Sequence, residues 1–247
     1  MNRTETARET RAALGLAATE PEAQFPEFAQ VKERFVYGEI FRHGALDERR
    51  RLLVTAAVLA TVEGGDLEAV LAAALRRGVE PAALQEVFHQ AAPYIGIPRA
   101  EKGLAAFARA CAAESVALPL ETLGTVTEET RLADGIAVQK AIFGDSIDAM
   151  RAGAPDDQKA LQDYLSAWCF GDTYTRGGMD LQTRELLTLV CILALGGCDP
   201  QVRAHVGGNL AVGNGRETLI AAICQCLPYI GFPRTLNALA AVNELTK

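Results

Sequence analysis

Three residues in the second half of the chain have types and spacings suited to proton or thiol chemistry: Glu185, Cys198 and His205. Asp199 and Pro200 mark a helix start, so Cys198 stands beside a helix N-terminus, where the partial positive charge favours a thiolate. His205 follows about two turns later and can face the same side. Glu185 lies on the preceding helix of the same hairpin, from which its carboxylate can reach His205, set its tautomer or share its proton. Such a trio also arises by chance in helical hairpins, with structural roles alone. Asp172, Arg203, Tyr229 and Arg234 are candidates for holding a substrate, the arginines by gripping a carboxylate. For the arginines a structural salt bridge is the competing role, and Tyr94 and Tyr229 also fit the core, each hydroxyl finding one partner. His89 reads as a hydrogen-bonded structural histidine and His43 as a loop residue. Cys224 and Cys226 sit two apart and point away from each other on a helix, no Cys/His pattern has zinc spacing, and there is no phosphate-binding glycine motif. No metal and no cofactor are expected.

The elements that must position these residues come in duplicate. Pro93-Tyr94-Ile95-Gly96-Ile97-Pro98-Arg99 recurs as Pro228-Tyr229-Ile230-Gly231-Phe232-Pro233-Arg234. Gly78 meets Gly213, Leu84 meets Leu219 and Gln90 meets Gln225 at the same offset. Further upstream, Phe35-Val36-Tyr37-Gly38-Glu39 matches Trp168-Cys169-Phe170-Gly171-Asp172, so Glu39 and Asp172 are equivalent. The chain is a duplicated unit, 1–120 and 121–247, joined near Ala117–Thr127. In the first copy Arg51, Gly64 and Leu71 fall where the second has Glu185, Cys198 and His205. One copy is expected to carry the site and the other to have lost it.

Each unit reads as helices. Asp47 caps ERRRLLVTAAVLATVEG, Asp66 caps LEAVLAAALRRG up to Gly78, Glu80-Pro81 opens AALQEVFHQAAPYIG, and Pro98 starts a fourth. Connections of two to four residues predict antiparallel hairpins. No alternating strand pattern appears, so the fold is expected to be all-α. Large apolar stripes on alanine-rich helices predict a homo-oligomer.

Composition narrows the function classes. With 49% apolar residues but only 6% aromatics, the chain suits close-packed helices better than a β-sandwich. A net charge of −7 without a basic stripe disfavours nucleic acid and anionic membranes. The polar start MNRTETARET has no apolar region behind it, and no run of about 18 apolar residues predicts a membrane span. A cytoplasmic protein with six free thiols and a small-molecule substrate is the expectation.

The segments FVYGEIFRHGALDERRRLLVTAAVLA and QEVFHQAAPYIGIPRA resemble the carboxymuconolactone decarboxylase family. WCFGDTYTRGGMDLQTRELLTLVCILAL and CQCLPYIGFPRTLNAL resemble it a second time. The resemblance implies two tandem all-α repeats of the alkylhydroperoxidase-D-like type. It also implies an oligomer, here a trimer imitating the hexamer of single-domain members. Two chemistries come with it. One is cofactor-free decarboxylation in aromatic degradation, converting 4-carboxymuconolactone to an enol-lactone of 3-oxoadipate. The other is a thiol-dependent peroxidase of peroxiredoxin type, using a glutamate, a Cys-x-x-Cys pair and a histidine. Glu185, Cys198 and His205 match that thiol pattern, but Gln201 replaces the second cysteine, and Cys191 on the previous helix is a poor substitute. A dithiol cycle needs a resolving thiol, whereas acid–base chemistry needs only the glutamate and histidine. The expected function is a decarboxylase acting on a small carboxylated lactone, with Glu185 and His205 as its acid–base pair. The alternatives are a single-cysteine peroxidase using Cys198, and a non-catalytic binder of small acids.

Overall fold

Aspartates start the two central helices in the same way. In a computed structural model, which describes residues 2–246, Asp47 accepts from the Arg50 amide at 2.7 Å and opens α4, Glu48–Val62. Asp180 accepts from the Thr183 amide at 2.7 Å and opens α11, Leu181–Leu195. Both helices are buried on every side over most of their length, as expected of helices with apolar residues all round. They pack on each other, and Leu52, Leu53, Val58, Leu186, Leu189 and Val190 belong to one core that spans both repeats.

Every regular element among the described residues is helical. Ahead of α4 lie α1 (Arg3–Leu14), α2 (Glu20–Gln24) and α3 (Pro26–Val36). After it come α5 (Leu67–Arg76), α6 (Pro81–Ile95) and α7 (Ile97–Ala113). The second repeat begins with α8 (Arg131–Phe143), α9 (Ser146–Ala152) and α10 (Lys159–Tyr164), which runs into a π-helical segment, Leu165–Tyr174. It closes with α12 (Asp199–Ala211) and α13 (Arg216–Leu245). Gly96 separates α6 from α7 at φ 87°, and Gly231 breaks α13 at φ 74°. Both are conformations a side chain would oppose, which is why the PYIG-x-PR phrase ends one helix and starts another. The long apolar α13 is therefore two helices, packed on α4, α11 and α12.

Two features were not visible in the sequence. The duplication extends to helices ahead of the matched phrases. Arg3 of α1 pairs with Glu39 at 3.3 Å, and Arg131 of α8 donates to Asp172 at 2.8 Å, so α1 and α8 are counterparts. The repeats also interlock: α6 packs on α11 as well as on α4, and α13 packs on α4 as well as on α11.

Candidate active site

Glu185 is fully buried on α11, and its two carboxylate oxygens are separately engaged. Oε2 lies 2.9 Å from His205 Nδ1, and Oε1 accepts the Tyr174 hydroxyl at 2.5 Å. The α11–α12 hairpin holds this register through Asn209, whose Nδ2 donates to the carbonyls of Glu185 at 3.0 Å and His205 at 2.7 Å. A carboxylate facing Nδ1 places the proton of a neutral imidazole there and leaves Nε2 outside this contact. His205 is 8% exposed, and the rings of Tyr94 and Phe143 stand edge-on to it at 5.8 and 5.4 Å.

A polar chain leads away from the pair into the first repeat. The Tyr174 hydroxyl is 2.8 Å from Thr188 Oγ1, to which Gln90 Nε2 donates at 2.9 Å. Gln90 accepts from Arg184 at 3.1 Å, and Arg184 pairs with Glu86 at 3.0 Å. Arg176 pairs with the same carboxylate at 2.9 Å. Glu86, Gln90 and Tyr94 all come from α6, so the first repeat supplies one wall of a site centred in the second. The Tyr94 hydroxyl is 3.3 Å from that of Tyr174 and accepts the Cys169 thiol at 3.1 Å. Burial holds both tyrosine hydroxyls protonated well above the usual range and pushes the Cys169 thiol up to about 12. These groups therefore act in the neutral range as O–H and S–H donors.

The same network recurs in the first repeat without its acid. Arg51 Nη1 donates to Gln225 at 3.3 Å, and Gln225 Nε2 donates to Thr55 at 3.1 Å. Arg51 is thus the counterpart of Arg184, and Leu52 stands where the second repeat has Glu185. The sequence pairing of Arg51 with Glu185 was one residue out of register. The run Arg49-Arg50-Arg51 offers three equivalent matches by type, and only the hydrogen bonds choose among them.

The remaining candidates scatter. Cys198 is the N-cap of α12, with its thiol 3.5 Å from the Gly196 carbonyl. The groove beside it, about 30 Å³, is lined by Gly196, Asp199, Val202 and Arg234 among others, but not by Glu185 or His205. That volume suits a water rather than an organic acid. Arg234 spends a donor on the Ala194 carbonyl at 2.5 Å. Arg203 is exposed and pairs with Glu244 at 3.0 Å. Asp172 is taken up by Arg131. Tyr229 lies on the first-repeat side, where Tyr37, Asp66 and Cys226 act on it. The tyrosine beside His205 is its counterpart Tyr94.

A buried acid–base pair on an antiparallel hairpin, duplicated as a scaffold but not as a site, defines a class of all-α two-repeat proteins. The profile of the carboxymuconolactone decarboxylase family matches residues 26–109 and 159–244, one stretch in each repeat, and the chain belongs to that family. It is 26% identical over 123 residues to a 4-carboxymuconolactone decarboxylase of Acinetobacter baylyi, covering 49% of this chain and 91% of that one. It is also 37% identical over 84 residues to an uncharacterized 15.0 kDa protein of Paracoccus denitrificans, encoded in the nqo9-nqo10 intergenic region, covering 34% of this chain and 62% of that one.

Proposed function

We propose that the protein is a cofactor-free carboxy-lyase acting on a small carboxylated lactone such as 4-carboxymuconolactone. The observation that carries this reading is the 2.9 Å contact between Glu185 Oε2 and His205 Nδ1 in a buried, aromatic-walled setting. In the proposed reaction the bond to the carboxylate carbon breaks and carbon dioxide leaves. The electron pair spreads into the conjugated lactone carbonyl. His205, which must enter this step as an imidazolium with Nδ1–H on Glu185, then gives its Nε2 proton to carbon and takes one back from water. Glu185 fixes the ring and stabilises the imidazolium form, and Tyr174 fixes Glu185. Apolar rings of Phe143 and Tyr94 beside the imidazole solvate a carboxylate poorly and so favour its loss as a neutral gas. A peroxidase reading would need Cys198 beside an acid–base group, and its groove contains neither Glu185 nor His205.

The test is ultraviolet absorbance of 4-carboxymuconolactone with wild type and His205→Ala. Turnover that falls about 10²–10⁴-fold in the variant supports the role. Equal turnover in both removes His205 as the acid, and none in either removes this substrate.

We also propose a homo-oligomer, a trimer in which each chain counts as two domains. Exposed apolar side chains occupy equivalent places in the two repeats: Phe28 and Leu161, Val31 and Tyr164, Ile97 and Phe232. Duplicated sticky patches suit repeat-to-repeat contacts between chains that close into a ring. Light scattering of the purified protein at the mass of a monomer would overturn this.

A further inference from the structure

The first repeat carries a buried arginine whose counterpart in the second is neutralised inside the fold. Arg184 has Glu86 at 3.0 Å. The position equivalent to Glu86, in the register that pairs Gln90 with Gln225, is Ala221. Arg51 is only 5% exposed and forms no ion pair among the described residues. Its hydrogen-bond partners are neutral: Gln225 at 3.3 Å and the Gly44 carbonyl at 2.7 Å. Asp47 acts on it only through space, being occupied as the cap of α4 and 3.8 Å from Arg50. A buried charge without a counter-charge is costly, and two bonds leave most of the five guanidinium donors unused.

Arg51 also faces a cleft of about 310 Å³. Arg42 lines the same cleft, held there by Thr10 Oγ1, which accepts its Nε at 3.0 Å, with the exposed Glu9 carboxylate 3.7 Å from its Nη2. Leu14 and Phe41 form an apolar wall. The acidic group on the rim, Glu48, is engaged by Arg77 at 2.6 Å. A cleft of that size, with two guanidinium groups and an apolar wall, has the chemistry to take a small organic carboxylate.

We propose that Arg51 and Arg42 form a second site, in the repeat that lacks the acid–base pair, which binds a small carboxylate as the missing counter-charge of Arg51. The site is separate from Glu185 and His205, and the proposal stands whether or not those residues catalyse decarboxylation.

The test is calorimetric titration of the full chain with adipate, comparing wild type with Arg51→Gln and Ala221→Glu. The second variant supplies from within the carboxylate that Glu86 gives Arg184. It should fold, because Glu86 packs beside Gly178 as position 221 lies beside Gly44. Both variants are expected to weaken adipate binding by about tenfold to a hundredfold, the range for a hydrogen bond to a charged group. Wild type that fails to bind millimolar adipate, or binding unchanged in a folded variant, overturns the site. A crystal structure of the adipate complex gives an independent decision: a carboxylate on Arg51 supports the proposal, and one bound elsewhere alone overturns it.

Discussion

Tyr94 of the first repeat stands edge-on to His205 of the second, with ring centroids 5.8 Å apart and planes at 89°. Packing across the repeats makes this possible, since α6 lies on α11 as well as on α4 and α7 of its own unit. The candidate site is therefore a product of the whole chain. A second repeat expressed by itself would lack Tyr94, Gln90 and the Glu86 carboxylate.

Removing the Tyr174 hydroxyl isolates its effect on the acid–base pair. Its 2.5 Å bond is the only one to Glu185 Oε1 in the hydrogen-bond network of the described residues. Tyr174→Phe leaves a buried carboxylate oxygen unpaired, at a cost of about 1.5–3 kcal/mol in stability. As a positioning residue, Tyr174 should lower kcat more than it raises KM. The pH profile of kcat should also shift, a change that loss of packing alone does not produce.

Glu86 neutralises both Arg184 and Arg176, and all three side chains are largely or wholly out of water. Breaking a buried pair by removing one partner strands the other charge. Glu86→Gln keeps the volume and strands two arginines, so urea unfolding should show a loss of about 3–5 kcal/mol. A loss below about 1 kcal/mol, the range of an exposed pair, would mean that water reaches the cluster.

The sequence located much of this. The duplication, the helices α4 to α7 with their counterparts, and the pairing of Glu185 with His205 were readable because caps, prolines and helical spacing are local signals. Tyr174, Gln90 and Glu86 were not, because no local pattern tells which helix α6 will pack against. Cys198 caps the helix that carries His205, but the groove beside the thiol is not lined by the imidazole. Counting turns puts them on one side, while Phe143 of α8 stands against His205 and the Cys198 thiol lies at the Gly196 carbonyl in a groove that Arg234 also lines. Substrate roles for Arg203 and Arg234 rested on residue type, and both side chains are engaged elsewhere.

Thiol accessibility separates the cysteines cleanly. Cys111, Cys169, Cys191 and Cys226 are buried, while Cys198 and Cys224 are partly exposed. Burial lifts Cys169 and Cys191 to about 12, which leaves almost no thiolate at neutral pH. Iodoacetamide followed by peptide mass mapping should label Cys198 and Cys224 in the native protein and all six only after denaturation. Early labelling of Cys169 would show that the Tyr94–Tyr174 wall opens.

The buried tyrosines predict how stability depends on alkaline pH. Burial raises Tyr94, Tyr174 and Tyr229 well above the ordinary value of 10.0. Above that value the unfolded chain sheds these protons while the folded chain keeps them. The unfolded state then binds fewer protons, so the unfolding free energy falls as pH rises, by about 1.4 kcal/mol per pH unit for each tyrosine. Their contribution is complete below about pH 10 and is lost above it. Urea midpoints for Tyr229→Phe should decline less steeply than wild type across this window, and identical slopes would mean that Tyr229 ionises normally in the fold.

Gly208 gives the most direct test of the acid–base geometry. A Cβ at this position of α12 would lie 2.6 Å from Glu185 Oε2 and 2.9 Å from Phe143 Cε1. Both distances are below van der Waals contact, and one falls on the oxygen that faces His205. Alanine favours the helix by up to about 1 kcal/mol over glycine, so propensity alone predicts that Gly208→Ala stabilises α12. The clash predicts that Glu185 is pushed off His205 and that α8 is lifted with Phe143. Overpacking of this kind costs about 1–3 kcal/mol, so the second effect should win. The expected outcome is a folded protein with a modestly lower melting temperature and, in the proposed decarboxylation, turnover reduced at least about tenfold, since small misplacements of catalytic groups cost that much or more. A melting temperature above wild type with full turnover would show that the carboxylate is not held where the structure places it.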